Sequence, residues 1–464
     1  MSMVSDALAA LARAACSRRD VLKGTGALIV GVSAVHMTAS LGVAQGPFDT
    51  RVSHVDPRQL DAWLAIVADG TVTASTGKCE FGQGILTAQT QLVAEELSVP
   101  IARVRIIECD TAMCPDQGTT SGSQSTPSNF NTRNLAQAAA TARAALLQLA
   151  AARLAVPVEQ LTMTDGIISA RADRTTSVSH GELVAGQQFN VTLSATAPRK
   201  PASAWTVLGQ PVPRLDMAAM ATGQFEYVHN VRVPGMVHGR VVRPPVVGGT
   251  LIDVAQTSVR TMPGVIQVVV RNNFVGIVAE RQWQAIQAAD ALQARWTAGS
   301  GLPPQGEFYT VLRHQQPSRD IFVVNSQDVD AQLAQAAAVI KATYLHPYQA
   351  HASMGTSCAV ADVRDGKATL WSSTQSVYPT RSGVALLLGL PVDSVRVIYR
   401  RGAGCYGLNG ADTVAYDAAL LSQAVGRPVR VQLSRRDEMA WENYGQTYAI
   451  DQRVGVDRDG TMIA

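Results

Sequence analysis

Gly402, Gly404, Gly407 and Gly410 fall within nine consecutive positions of Arg401-Gly402-Ala403-Gly404-Cys405-Tyr406-Gly407-Leu408-Asn409-Gly410-Ala411-Asp412. Glycine at that density serves backbone shape rather than packing. The strand pattern Ser394-Val395-Arg396-Val397-Ile398-Tyr399 leads in. A helical pattern on Val414, Ala418, Leu421 and Ser422 leads out, with Asp412 or Thr413 as cap, Gly426 as its end and Pro428 before a strand from Val429 to Leu433. The order is strand, glycine loop, helix, strand. Backbone N–H groups of such a loop, with a helix N-terminus, form a concavity suited to phosphate or an oxyanion. A plain tight turn is the competing reading.

The same order occurs near the other end. Trp63 to Val67 and Thr71 to Ser75 read as a hairpin closed by Asp69-Gly70. There follow Gly77-Lys78-Cys79-Glu80-Phe81-Gly82-Gln83-Gly84, a helix over Ala88 to Leu97 capped by Thr87, and a strand over Val104 to Cys109. The hydroxyl-rich loop Gly118-Thr119-Thr120-Ser121-Gly122-Ser123-Gln124-Ser125 then precedes an alanine-rich helix, Leu135 to Leu154. Three segments repeat a helix end, a proline stop and a strand: Leu97 to Ile107, Leu154 to Thr162 and Leu388 to Ile398. The two ends of the chain are therefore expected to be related αβ layers sharing one site.

A hydrophobic content of 47% excludes a disordered chain, and a net charge of +3 gives no field for nucleic acid. Ser17-Arg18-Arg19-Asp20-Val21-Leu22-Lys23, the apolar run Gly26 to Val35 and Gly42-Val43-Ala44 read as a twin-arginine export signal. This predicts a periplasmic protein, peripheral to the inner membrane at most. Of six cysteines, Cys16 leaves with the signal. The rest lack metal-site spacing, and in an oxidising compartment a disulfide among them is open. Cys405 is either a small buried filler or close to a cofactor. His229 and His238 read as structural, and His346 to His351 as a strand-end turn.

Ser372-Ser373-Thr374-Gln375, Leu388-Gly389-Leu390-Pro391, the glycine loop and Gly426-Arg427-Pro428-Val429, in that order, resemble the molybdenum-binding subunit of the xanthine dehydrogenase family. The form Gly402-Ala403-Gly404-Cys405-Tyr406-Gly407-x-Asn409-Gly410-Ala411-Asp412 is most similar to the nicotinate dehydrogenase and isoquinoline oxidoreductase branch. The resemblance implies an α+β architecture of mixed layers, with molybdenum-cofactor-binding αβ domains plus a hammerhead domain. The expected division is 1–44 signal, 45–205 N-terminal molybdopterin-binding-like region, 206–300 hammerhead, 301–327 linker and 328–464 first molybdenum-cofactor-binding domain, its remainder lying beyond Ala464. Residues 170–205 read as connector. Asp328 to Ile340 reads as helix, followed by strands Ala342 to Leu345, Cys358 to Val363 and Ala368 to Trp371.

The resemblance also implies chemistry: hydroxylation at an electron-poor carbon with oxygen from water, the cofactor carrying the two-electron oxidation. Gln375 would hydrogen-bond the molybdenum oxo group, with Gly404, Tyr406 and Gly407 beside it. Gly82, Gln83, Gly84, Thr87, Thr120, Ser121 and Ser123 would hold the pterin and its phosphates. Molybdopterin in its cytosine dinucleotide form is implied, with no protein ligand to molybdenum. So are 2Fe-2S clusters on a small iron-sulfur subunit, a cytochrome c acceptor and a small-molecule substrate. Two departures stand out. Asn409, Gly410 and Asp412 occupy the places of a glutamate that standard members use on substrate, which argues against purines. The family's catalytic glutamate normally lies farther on, so no base is assigned; Glu80 is the substitute candidate. Three functions stay open: an N-heteroaromatic hydroxylase of the nicotinate type, an aldehyde oxidoreductase of the same superfamily, and a cofactor-holding subunit without turnover of its own.

Overall fold

The computed structural model describes residues 55–121, 129–131, 134–184, 189–324, 326, 328–407 and 413–464. The twin-arginine stretch, Ser123, Asn409, Gly410 and Asp412 lie outside them. The chain divides into two compact units, the larger made of residues up to Val242, Gln256–Leu292 and Ala352–Trp441.

In the larger unit the predicted hairpin is β1 (Leu64–Ile66) and β2 (Val72–Thr76), and β3 (Val104–Glu108) joins β2 in parallel. Helix α1 (Ile85–Leu97) connects β2 to β3 and packs on α2 (Leu135–Leu154), whose alanines leave little between the two helices. Behind them β4 (Leu161–Thr164), β5 (Ile167–Ala170) and β6 (Ser177–Ser179) form an antiparallel sheet leading to the short helix α3 (His180–Val184). The stretch read as connector thus contains a strand and a helix. A further short helix, α4, spans Met217–Ala221.

A seven-stranded sheet dominates the rest. Its strands are β7 (Val237–Val242), β9 (Val265–Arg271), β10 (Phe274–Ala279), β13 (Cys358–Arg364), β14 (Lys367–Ser372), β15 (Val395–Tyr399) and β16 (Val429–Gln432), in the order β15-β14-β13-β16-β7-β10-β9. Helix α5 (Gln282–Ala291) follows β10, α8 (Val377–Leu388) links β14 to β15, α9 (Thr413–Val425) links β15 to β16, and α10 spans Arg435–Trp441. Gly239 on β7 and Gly276 on β10 seat Leu421 of α9: a Cβ on either would stand 2.5 or 2.7 Å from its methyl carbons. Within 206–300, β7, β9 and β10 belong to this large sheet, because β7 pairs in parallel with β16 and carries β10 and β9 with it. Alternation marks a strand but does not say which sheet it joins.

The smaller unit comprises Arg243–Ala255, Gln293–His351 and Glu442–Ala464. It holds the pair β8 (Leu251–Ala255) and β11 (Gln293–Trp296), helices α6 (Phe308–His314) and α7 (Val329–Gln335), and a nine-residue antiparallel ribbon of β12 (Ala338–His346) and β17 (Tyr448–Val456). Two expectations change here. The linker 301–327 contains α6, and the helix expected over 328–340 stops at Gln335, since pairing with β17 overrides the helical preference of the alanines before Ile340.

The proposed repeat holds at backbone level. Helices α1, α2 and α8 each end on a left-handed residue, Ser98 (φ 48°), Ala155 (φ 54°) or Gly389 (φ 68°). Each is closed by a hydrogen bond to the carbonyl five residues back: Val99 to Ala94, Val156 to Ala151 and Leu390 to Ala385. A proline, one turn of 3₁₀ helix and a strand follow in all three.

Candidate functional site

The N-terminal turn is organised by Glu80. Its side chain is fully buried; Oε1 accepts the N–H groups of Gly82 (2.6 Å) and Gly84 (2.9 Å), and Oε2 that of Leu86 (2.9 Å). Gly84 is the N-cap of the helix and Leu86 lies in its first turn, where N–H groups otherwise lack partners; Gly82 belongs to the turn before it. Glu80 therefore closes the start of α1, which begins at Ile85 after Gly84, and the structure gives the substitute-base candidate this structural task. Thr87, expected as the cap, sits inside α1 and accepts the N–H of Leu215 (3.1 Å). Gln83 folds back on its own turn, donating to Cys79 O (3.0 Å) and accepting from Phe81 N (2.5 Å).

Gln375 joins the two ends of the chain. Its Nε2 donates to Thr120 O (2.9 Å) and to Gly407 O (3.2 Å), and its own carbonyl accepts Thr120 N–H (2.9 Å). Thr120 turns its hydroxyl inward, where it accepts Cys79 N–H (3.2 Å). Beside it Thr119 and Ser376 share a hydroxyl contact of 2.8 Å, and the buried Lys78 donates to Thr119 O (2.7 Å). Burial lowers the Lys78 ammonium below the usual lysine range. Ser121 is half-buried, and Tyr406 is 60% exposed. Lys78 and Cys79, loop 118–121, Gln375 and Gly407 thus meet at one place.

The bases of these loops are tied together as well. Tyr399 N donates to Cys109 O (3.0 Å) and Thr111 N to Val397 O (3.0 Å), so the backbone after β3 continues onto β15. Arg396 clasps Asp110 through Nε–Oδ1 (3.0 Å) and Nη2–Oδ2 (2.6 Å), both residues buried. Arg401, at the root of the glycine loop, pairs with Asp216 and lies 4.7 Å from the Phe225 ring centre. Arg214 bonds Asp216 Oδ2 (2.7 Å) and Gly82 O (2.7 Å) and approaches Glu80 Oε1 (3.4 Å). Sequence reasoning did not find Arg214, Asp216 or Glu108, whose partners are scattered along the chain without a motif. Ala403 O accepts Gly355 N–H (2.8 Å), and a Cβ on Gly355 would meet that of Ala403 at 2.6 Å.

Gly82 (φ 120°), Gly84 (φ 85°) and Gly118 (φ 69°) leave open space where a Cβ would stand. Gly404 (φ 109°) and Gly407 (φ 133°) likewise adopt left-handed backbone. Bare, left-handed backbone beside polar side chains suits close approach by a large anionic group such as a pterin phosphate. Cys79, Cys109, Cys114 and Cys358 are buried, Cys405 is half-buried, and none of the five is bridged. His229 Nε2 lies 2.8 Å from Thr356 O, which agrees with a structural role.

Two molybdopterin cofactor-binding domain families match the chain, over residues 312–464 and 10–221. It is 39% identical over 458 residues to a nicotinate dehydrogenase subunit of Pseudomonas putida, covering 97% of this chain and 38% of that one. It is 28% identical over 87% of its length to a membrane-bound aldehyde dehydrogenase [pyrroloquinoline-quinone] of Gluconacetobacter polyoxogenes, spanning 54% of that protein. It is 26% identical over 97% of its length to the beta subunit of isoquinoline 1-oxidoreductase of Brevundimonas diminuta, spanning 63% of it. The chain thus spans between about two fifths and under two thirds of these relatives. The two matched regions together span most of the chain, which thus consists of molybdopterin cofactor-binding domains of the xanthine dehydrogenase family.

Proposed function

We propose that the chain is the cofactor-seating part of a molybdenum hydroxylase that acts on an N-heteroaromatic such as nicotinate. The observation that carries this is Gln375, whose amide ties the N-terminal loop at Thr120 to the glycine loop at Gly407. Gly82, Gly84, Gly118, Ser121, Gly404 and Gly407 would line the seat for the pterin and its phosphates, with Gln375 and Tyr406 at its inner end. A molybdenum-pterin group, in the cytosine dinucleotide form on our reading, would supply the two-electron oxidation and water-derived oxygen. The chain's own residues hold the seat: Glu80 and Asp216 fix the two loops from below, and Gln375 sets their separation. Glu80 is committed to backbone N–H groups, so the base that activates water is proposed to come from further polypeptide, and electrons to leave through a small iron-sulfur subunit toward a cytochrome c. The arginine pair Arg18-Arg19 before an apolar run supports export of the folded, loaded protein to the periplasm.

The aldehyde reading draws support from the Gluconacetobacter relative's name. The test is to purify the chain alone and together with a full-length relative's downstream segment and an iron-sulfur subunit, measure bound molybdenum, and assay nicotinate and an aldehyde with an artificial acceptor. Molybdenum in both preparations and nicotinate turnover only in the second is the expected result. Aldehyde turnover alone would select the other reading, and absence of molybdenum from both would overturn the seat.

A further inference from the structure

Beneath the candidate seat, three carboxyl groups face two guanidinium groups. Glu80 and Asp216 are buried, as is Arg401, with Arg214 at the edge. The third carboxyl is Glu108, at the end of β3. The acceptors and donors are unequally shared. Both Glu80 oxygens take up N–H groups of the turn, and Asp216 takes up both arginines. Glu108 Oε1 is shut off from solvent without a hydrogen-bond partner, and so is Nε of Arg401. A buried carboxylate oxygen without a donor is costly, whereas a carboxylic acid in the same place is much less so.

We propose that Glu108 stands in the folded protein at neutral pH as the neutral carboxylic acid, and that this proton lets the turn at Glu80 and the root of the glycine loop at Arg401 lie against each other. Every neighbouring element bears on it. Arg401 and the Glu80 backbone N–H favour the anion. The carboxylates of Glu80 and Asp216 oppose it, Tyr399 and the Cys109 thiol lie near it with their own ionisation pushed up by burial, and Arg214 is already engaged by Asp216. With the proton in place the charged groups balance, two against two. Burial, the largest influence, holds the Glu108 carboxyl up at about 8. Glu108 is thus a positioning residue for the seat. That last step rests on the proposed function; the protonation itself does not.

The folded carboxyl ionises at higher pH than the unfolded one, so its contribution to stability is full below about 4.5 and lost as pH rises to about 8. Thermal unfolding of the purified chain and of Glu108→Gln should therefore diverge. Relative to the variant, the wild type should lose several degrees between pH 5 and 8, with no further change above. Infrared spectra with 13C-labelled glutamate should show a protonated glutamate carboxyl at pH 7 that vanishes above about 9. The label separates it from Asp362, which burial also raises. Parallel unfolding profiles, or no labelled protonated carboxyl at pH 7, would overturn the proposal, and the infrared result stands even if Glu108→Gln does not fold. Molybdenum should be lost from the wild type on raising the pH from 7 to 9 and kept by Glu108→Gln. A pH-dependent wild type with equal molybdenum retention would keep the proton on Glu108 and overturn its link to the seat.

Discussion

The N-terminal turn and the glycine loop share an order of elements, yet they are held by different means. The turn closes on itself: Glu80 reaches two, four and six residues ahead for Gly82, Gly84 and Leu86. The glycine loop is held from outside, by Asp216 on Arg401, Gly355 on Ala403 and Gln375 on Gly407. Local closure presets the shape, and the outside ties from Arg214 to Gly82 O and from Tyr399 to the Glu80 carbonyl add to it. Closure from a distance makes the loop's shape a report on whether other segments are in place.

Breaking the self-closed side should cost most. Glu80→Ala strips three N–H groups of their buried acceptor and takes one carboxylate away from Arg214. We expect a loss of about 3–5 kcal/mol, the scale of one removed partner in a buried charged network, read as a lower urea midpoint with unchanged slope. Acid should separate the two sides. His180 is fully buried with neither ring nitrogen bonded, and burial holds its imidazole down at about 4. Because the folded form resists protonation, its contribution is present above the unfolded value of 6.5 and is lost as pH falls to about 4, about 3 kcal/mol in all. Asp216 follows later. Burial raises it, but hydrogen bonds from Arg214 and Arg401 outweigh that and hold it at about 2, so the Arg401 tie lets go only as pH falls from 3.8 toward 2. Hydrogen exchange at stepped pH should show amides around His180 open before those of Gly402 to Gly404.

Gln375→Ala should unpair Thr120 O and Gly407 O at a cost of about 1–3 kcal/mol. It should also lower turnover of the assembled enzyme ten- to a thousand-fold, the scale of a lost oxyanion donor. Normal turnover would remove Gln375 from the seat. The smallest effect is expected at the repeat. Ala155 holds the left-handed position that glycine holds at 389, and Ala155→Gly should raise stability by about 0.5–1 kcal/mol, measured as a shift in unfolding midpoint. A loss there would mean that the turns are alike in shape but not in strain.

The local parts of this architecture were legible in the sequence: the hairpin at Asp69-Gly70, helix 135–154, the three proline-stopped turns and the strands flanking Gly402. Each is set by residues within a few positions of one another. What was not legible depends on partners far away. Glu80 reads equally as a base or a cap until the turn is folded around it, and Thr87 looks like a cap because a hydroxyl before a helical run usually is one. The run before Ile340 looks helical until β17, a hundred residues on, pairs with it. Arg214, Asp216 and Glu108 carry no spacing that announces them, since their cluster gathers four separate segments.

The hydrogen bonds between Thr120 and Gln375 span 255 residues of sequence, which has a bearing on how the protein is made. At ribosomal rates of about 5–20 residues per second, loop 118–121 emerges roughly 13–50 s before its partner. Throughout that interval the N-terminal turn can already be shaped by Glu80, while no seat exists to be filled. A chain cut short before residue 375 would have its N-terminal turn and lack the proposed seat, so on that proposal loading itself would be a check that translation has run far enough.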